Sequence, residues 1–276
     1  MTPDLPPGRS VELEGRGTTF VREVTGPRGA PVVLLLHGWT VTADLNWFRC
    51  YEPLGREFRV LAMDHRGHGR GIRSRRFRLE DCADDAAALA TTLGIDTFVP
   101  VGYSMGGAVA QLVADRHRDR VRGLVLGATA RQFHLRGADP ALSRRLSPVI
   151  ATVATLTPAK FRQNLFEAMG NTREPGNEFD QWASSEVRRN DPAAMAQALV
   201  EIQRFDSRAW IGDITAPTAV IVTTQDVTVP TLRQRRLVGA LRNPVVTEIV
   251  APHRAPVENP DVFLPALLRS CRAVCV

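Results

Sequence analysis

Val101-Gly102-Tyr103-Ser104-Met105-Gly106-Gly107 is the stretch on which the reading of this chain turns. An apolar, β-prone run, Thr97-Phe98-Val99-Pro100-Val101, leads into it, and a helical pattern over 108–114 leads out. Gly102-x-Ser104-x-Gly106 thus stands at a strand-to-helix corner, the context in which this pattern carries meaning. Small residues two positions either side of the serine let strand and helix approach without clash. The turn holds the serine in a strained conformation with its hydroxyl at the top of a sheet and a helix N-terminus behind it.

Outward from that corner the chain alternates strands and helices. Upstream, Val11-Glu12-Leu13-Glu14 and the run over 19–24 read as a hairpin around Gly15-Arg16-Gly17. Pro31-Val32-Val33-Leu34-Leu35-Leu36 is a continuous apolar run, the mark of a strand buried on both faces. It ends in His37-Gly38-Trp39-Thr40, and a helix is predicted over 44–54. The strand over 58–63 ends in Asp64-His65-Arg66-Gly67-His68-Gly69, and a helix follows over 79–93. Downstream, strands are predicted over 121–126, 217–222 and 245–250, with a helix over 232–241 and another opened by Pro260, a favoured first-turn position. This alternation predicts an α/β fold, a mostly parallel central sheet flanked by helices.

The rhythm stops near Ala130. From Arg131 to Trp210 no strand is predicted, only helical pieces broken by Pro140, Pro148, Pro158, Pro175 and Pro192. The same stretch gathers Phe133, Phe161, Phe166, Phe179, Trp182, Phe205 and Trp210. It reads as a helical cap, residues 131–210, inserted into a core domain made of 1–130 and 211–276.

Composition narrows the class. The 276 residues are 44% hydrophobic, enough for a large core, and the formal charge is +6 with Lys160 the only lysine. Its arginines are spread through every segment among Asp and Glu, and the densest run, 70–78, is short. That distribution describes a solvated surface and argues against a nucleic-acid partner. Cys50, Cys82, Cys271 and Cys275 show neither metal-ligand spacing nor a disulfide framework. Residues 1–10 hold three prolines and no apolar core, so a signal peptide is not expected there, nor is membrane insertion. The expected setting is soluble and cytoplasmic, with the oligomeric state left open.

In open parallel sheets, ligands bind beyond the carboxyl ends of the strands. Ser104, Asp226, His253 and the His37-Gly38-Trp39 turn all follow strands at that end. A serine hydroxyl, protonated at neutral pH, needs a base to take its proton and a third group to orient that base. His253 is the histidine C-terminal to the cap, and Asp226 ends the strand before it. His37, His65 and His68 read as loop braces, His117 as a surface residue, and Asp206 and Asp213 as acids at the wrong end of the sheet.

Taken together, His37-Gly38-Trp39, Asp64-x-Arg66-Gly67-x-Gly69, Gly102-Tyr103-Ser104-Met105-Gly106-Gly107, Asp226-x-x-x-Pro230 and His253 resemble the α/β-hydrolase family over essentially the whole chain. The resemblance implies Ser104 as nucleophile, His253 as general base and acid, and Asp226 as the orienting carboxylate. It also implies an oxyanion hole from the backbone N–H groups of Trp39 and Met105. Tyr103, Trp182 and His134 are candidates for substrate contact. Two departures stand out: Pro252 precedes the histidine where relatives often have glycine or aspartate, and Arg70 stands where they often have serine.

The expected reaction is hydrolysis of a carboxylic ester or related acyl compound through an acyl-enzyme, which requires no metal or organic cofactor. The aromatics of the cap point to a small-molecule substrate with an apolar acyl or ring group. Thioesterase, lactonase, carbon–carbon hydrolase and acyltransferase chemistry use the same three groups, and a non-catalytic ligand-binding use of the fold stays open beside them.

Overall fold

The computed structural model describes residues 2–133 and 176–275. Eight strands form a single sheet: β1 (Gly8–Leu13), β2 (Gly17–Val24), β3 (Val32–Leu36), β4 (Arg59–Met63), β5 (Val99–Tyr103), β6 (Leu124–Gly127), β7 (Thr218–Thr223) and β8 (Val245–Ile249). Their order is β1-β2-β4-β3-β5-β6-β7-β8. The first two strands pair antiparallel as the expected hairpin, β2 pairs antiparallel with β4, and every other pairing is parallel. The expected α/β architecture is therefore the observed one.

Both faces of β3 to β7 are buried, as their unbroken apolar runs require, whereas the edge strand β8 exposes Val245, Val246 and Glu248. Alternate residues divide between two cores. Leu34 and Leu36, Leu61 and Met63, Leu124 and Leu126, and Val220 and Val222 pack on one face. Val33 and Leu35, Val60 and Ala62, Val125, and Ala219 and Ile221 pack on the other. Helices α3 (Leu79–Thr92) and α4 (Met105–Arg116) cover the first face. The second is covered by α1 (Ala43–Trp47), α2 (Tyr51–Gly55) and the last helix, α9 (Pro260–Val274).

The helix expected over 44–54 is instead the two short helices α1 and α2. Pro53 explains the break: one continuous helix would need its missing N–H, and its ring would strike the carbonyl of Arg49. Restarting at Tyr51 places Pro53 in a first turn, where the N–H is not needed.

The chain leaves the sheet after β6 and returns at β7. Within the described part of that span lie α5 (Glu178–Arg188) and α6 (Pro192–Arg204). Its two ends are tied together: Gln132 bridges Asp206, and the Ser207 N–H donates to the Arg131 carbonyl at 2.8 Å. Phe133 and Phe205 stack at 6.0 Å and enter the core on the α4 side. The remaining helices are α7 (Thr231–Val238) and α8 (Ala255–Glu258). Among the described residues, no helix is long and apolar enough to cross a membrane.

Strand order reverses between β3 and β5, because the chain passes from β3 to β4 on one side and then to β5 on the other. The loops leaving β3 and β5 at their carboxyl ends diverge there and leave a crevice. Into that crevice the fold places Gly38 and Ser104.

Candidate active site

Ser104 has φ 55° and ψ −118°, a conformation costly for any residue with a Cβ. It persists because the corner is pinned on every side. The Ser104 N–H donates to the Gly127 carbonyl at 2.9 Å. The Ser104 carbonyl accepts from the Thr129 hydroxyl at 2.8 Å and from the Gly107 N–H at 2.9 Å. The flanking glycines are required by space: a Cβ on Gly102 would strike the Gly106 carbonyl, and one on Gly106 would strike the Leu36 carbonyl. Helix α4 begins at the next residue, so its positive end lies against the serine.

The Ser104 hydroxyl reaches Nε2 of His253 at 2.9 Å, and Nδ1 of the same ring reaches Oδ2 of Asp226 at 2.7 Å. The carboxylate can only accept, so Nδ1 carries the proton and Nε2 presents a lone pair to the serine. Pro252 does not prevent this presentation. The His253 side chain is 19% exposed, whereas that of Asp226 is fully buried.

Asp226 is held by neutral donors. Its Oδ1 accepts the N–H groups of Thr228 and Val229 at 2.9 and 2.8 Å. Its Oδ2 accepts from the Thr223 hydroxyl at 2.9 Å and from Nε2 of Gln234 at 3.2 Å. Buried Gln234 also donates to the Val229 carbonyl at 2.7 Å and accepts the Thr223 N–H at 3.0 Å, which locks the turn that carries the carboxylate. Sequence reading passed over Thr223 and Gln234. The available signal was a neutral amide on an arginine-rich helix, three residues before the buried Leu237 and hence on its inward side.

Trp39 and Met105 both lie next to the Ser104 corner. A Cβ on Gly38 would lie 3.5 Å from the Ser104 Cβ, so the turn after β3 runs beside the serine. Met105 is the first residue of α4, where a backbone N–H has no helical partner. Among the described residues, neither the Trp39 nor the Met105 N–H is engaged by a protein acceptor.

The substrate candidates separate. Tyr103 is buried in the core opposite α4, and its hydroxyl donates to the His253 carbonyl at 3.0 Å. Its ring packs against Trp47 and Phe263, so it supports the histidine from below instead of facing the crevice. Burial holds the phenol proton well above its ordinary range. Trp182 is half-buried in an aromatic group with Phe48 and Phe179, at centroid distances of 5.3 and 5.6 Å. His134, Phe161 and Phe166 lie outside the described residues.

Among the remaining described histidines, His37 and His68 bond backbone carbonyls, while the His65 ring has no hydrogen-bond partner. His37, His65 and His68 are buried together, with His37 4.4 Å from His65 and 5.1 Å from His68 between ring centroids. His37 donates through Nδ1 to the Gly38 carbonyl at 2.7 Å and accepts the His65 N–H at Nε2 at 3.0 Å. Burial lowers its pKa to about 4, against a smaller opposing effect of the Gly38 carbonyl. Burial also pushes His65 and His68 well below the ordinary imidazole range. His117 bonds Asp84 at 2.9 Å, away from the sheet edge.

Arg70 acts through its charge. It donates to Asp44 at 2.6 Å and lies 3.5 Å from the centroid of the Phe20 ring. Asp44 also accepts two bonds from Arg22 at 2.9 Å each and one from the Tyr51 hydroxyl at 3.2 Å. Burial raises the Asp44 carboxyl, but the two guanidiniums reverse that and leave it below its ordinary value.

Comparison with known proteins agrees with the fold. A family model described as alpha/beta hydrolase fold matches residues 31–259. A pimeloyl-[acyl-carrier protein] methyl ester esterase of Chromobacterium violaceum is 30% identical over 82% of this chain and 88% of its own. A proline iminopeptidase of Pestalotiopsis fici is 34% identical, but the match spans only 50% of each chain. The enol-lactonase of Burkholderia xenovorans superposes with a TM-score of 0.77 at 24% identity, covering 96% of this chain and 100% of its own, a likeness of fold.

Proposed function

The chain belongs to the alpha/beta hydrolase fold family, and from that premise we propose that this hydrolase cleaves carboxylic esters or related acyl compounds through an acyl-enzyme. The observation that carries the reading is the unbroken path of hydrogen bonds from Asp226 through His253 to Ser104, 2.7 and 2.9 Å, at the crevice where strand order reverses.

In this reading Ser104 Oγ attacks the substrate carbonyl carbon while its proton passes to Nε2 of His253. The former carbonyl oxygen becomes an oxyanion beside the N–H groups of Trp39 and Met105. Such fixed donors are each worth about 3–4 kcal/mol because they need no reorganisation when charge appears. Collapse of the intermediate breaks the carbon–oxygen bond, and the imidazolium returns its proton to the departing alcohol. A water molecule then gives its proton to His253 as it attacks the acyl carbon, and a second collapse frees the acid and restores the serine. Asp226 holds the ring in the required tautomer and offsets the transient imidazolium charge.

We assign residues 131–210 as a cap, supported by the tie between Arg131–Gln132 and Asp206–Ser207. The Phe48, Phe179 and Trp182 group supports an apolar acyl or ring moiety in the substrate. All four cysteines are free thiols and three are buried, which supports a reducing, cytoplasmic setting.

A fluorophosphonate probe, followed by peptide mapping, tests the nucleophile. Labelling is expected at Ser104 and lost in Ser104→Ala, together with turnover of short p-nitrophenyl esters. A label on another serine, or full turnover in the variant, overturns the assignment.

A further inference from the structure

The turn after β3 is strained where it matters. Thr40, a β-branched residue, has φ 64°, a region such residues rarely enter. The turn carries the Trp39 N–H, and its shape is imposed by partners on either side. Asn46 of α1 accepts the Gly38 N–H at 3.0 Å. The other constraints come from the segment that returns between β6 and β7. The Trp39 indole N–H donates to the Met195 carbonyl of α6 at 3.0 Å. Asn190 donates from Nδ2 to the Thr40 carbonyl at 2.8 Å, and its Oδ1 accepts the Gly69 N–H at 2.9 Å. Glu186 accepts from the Thr42 hydroxyl at 2.8 Å.

Asn190 is 5% exposed, and both ends of its amide are engaged by backbone groups of two different loops. A side chain placed only to attach α6 to the core would not need to meet the single strained carbonyl next to Trp39. Gln197 shows what plain attachment looks like. It bonds the Phe77 N–H at 2.7 Å and the Arg75 carbonyl at 3.2 Å, on a loop that carries none of the proposed reacting groups.

We propose that Asn190 is a positioning residue for the oxyanion hole: with the Met195 carbonyl, it holds the strained Thr40 turn so that the Trp39 N–H points at the developing oxyanion. This rests on the hydrolase reading above. The segment 176–210 thereby takes part in the chemical step, and not in substrate selection alone.

The test compares Asn190→Asp, Asn190→Ala, Trp39→Phe and Gln197→Ala in the full chain, using a p-nitrophenyl ester, an aryl trifluoromethyl ketone and thermal melting. Asn190→Asp keeps the acceptor for Gly69 but turns a lone pair toward the Thr40 carbonyl. It should lower kcat by about 10- to 100-fold with KM nearly unchanged, as expected for a displaced donor. The inhibition constant of the ketone, whose adduct places an oxyanion in the hole, should rise in parallel. Asn190→Ala and Trp39→Phe should act in the same direction, whereas Gln197→Ala should lower the melting temperature and leave kcat in place. Unchanged kcat in Asn190→Asp, an effect on KM alone, or an equal kcat loss in Gln197→Ala would overturn the proposal. If wild-type Ser104 takes no fluorophosphonate label, the hydrolase reading itself fails, which separates the two outcomes.

Discussion

Asp226 and Asp44 are both buried carboxylates bordering the carboxyl edge of one sheet, yet their charges meet opposite fates. Asp44 faces the guanidiniums of Arg22 and Arg70, permanent cations that cancel its field within a few ångströms. Asp226 faces two backbone N–H groups, a hydroxyl and an amide, and its ion partner among the described residues is the titratable ring of His253. Dipolar donors stabilise a carboxylate without discharging it. In the proposed mechanism the charge of Asp226 serves the imidazolium formed at His253, while that of Asp44 is committed to holding α1, β2 and the Arg70 loop together.

The contrast breaks most decisively at Asp226. Asp226→Asn should cut ester turnover by about 10³- to 10⁴-fold, because an amide cannot fix the Nδ1–H tautomer. Steady-state kinetics beside an unchanged far-UV spectrum checks this, and a rate near wild type would make Asp226 another structural acid. Asp44→Ala should do the reverse. Removing one partner of a buried ionic cluster leaves uncompensated charge and costs about 3–5 kcal/mol, read in urea unfolding. The molecules that remain folded should keep most of their kcat.

Acid should sharpen the comparison through the buried histidines. His37 has a folded pKa of about 4, below the unfolded value near 6.5, so the unfolded chain binds more protons between those limits. Stability contributed by its neutral form is then whole above about pH 6.5 and lost as pH falls toward 4, a loss of about 3 kcal/mol from this ring. His65 and His68 add to it with the same sign. Chemical denaturation at pH 7 and pH 5 measures this, and equal midpoints would contradict the burial of the cluster. The smallest effect belongs to the exposed pair of Arg235 and Glu248, 2.9 Å apart with both side chains more than a third exposed. The charges match those around Asp44 but water screens them, so Arg235→Gln should leave the urea midpoint where it was.

The same division between committed and available groups explains what the sequence made legible. The sheet was readable because strands buried on both faces must be apolar throughout, and the corner at Ser104 because its close contacts admit only glycine. Asp226 and His253 were readable because topology sends their loops to one edge. Asn190, Gln234 and Thr223 were not, because a neutral side chain that serves backbone atoms of a distant loop leaves no periodicity behind. Tyr103 shows a signal that was present and unused. Strand alternation sets it on the side of Val99 and Val101, in the core opposite α4, and so away from the crevice.

That placement governs how alignment survives thermal motion. Ser104 leaves β5 and His253 follows β8, with β6 and β7 between them, so small shifts at each pairing would add up across the sheet. Tyr103 short-circuits this accumulation. Its hydroxyl grips the main chain of His253 while the next residue grips the ring. Two neighbours on one peptide thus tie the imidazole to β5, and the gap between serine and imidazole is referenced to a single covalent link instead of to three strand pairings.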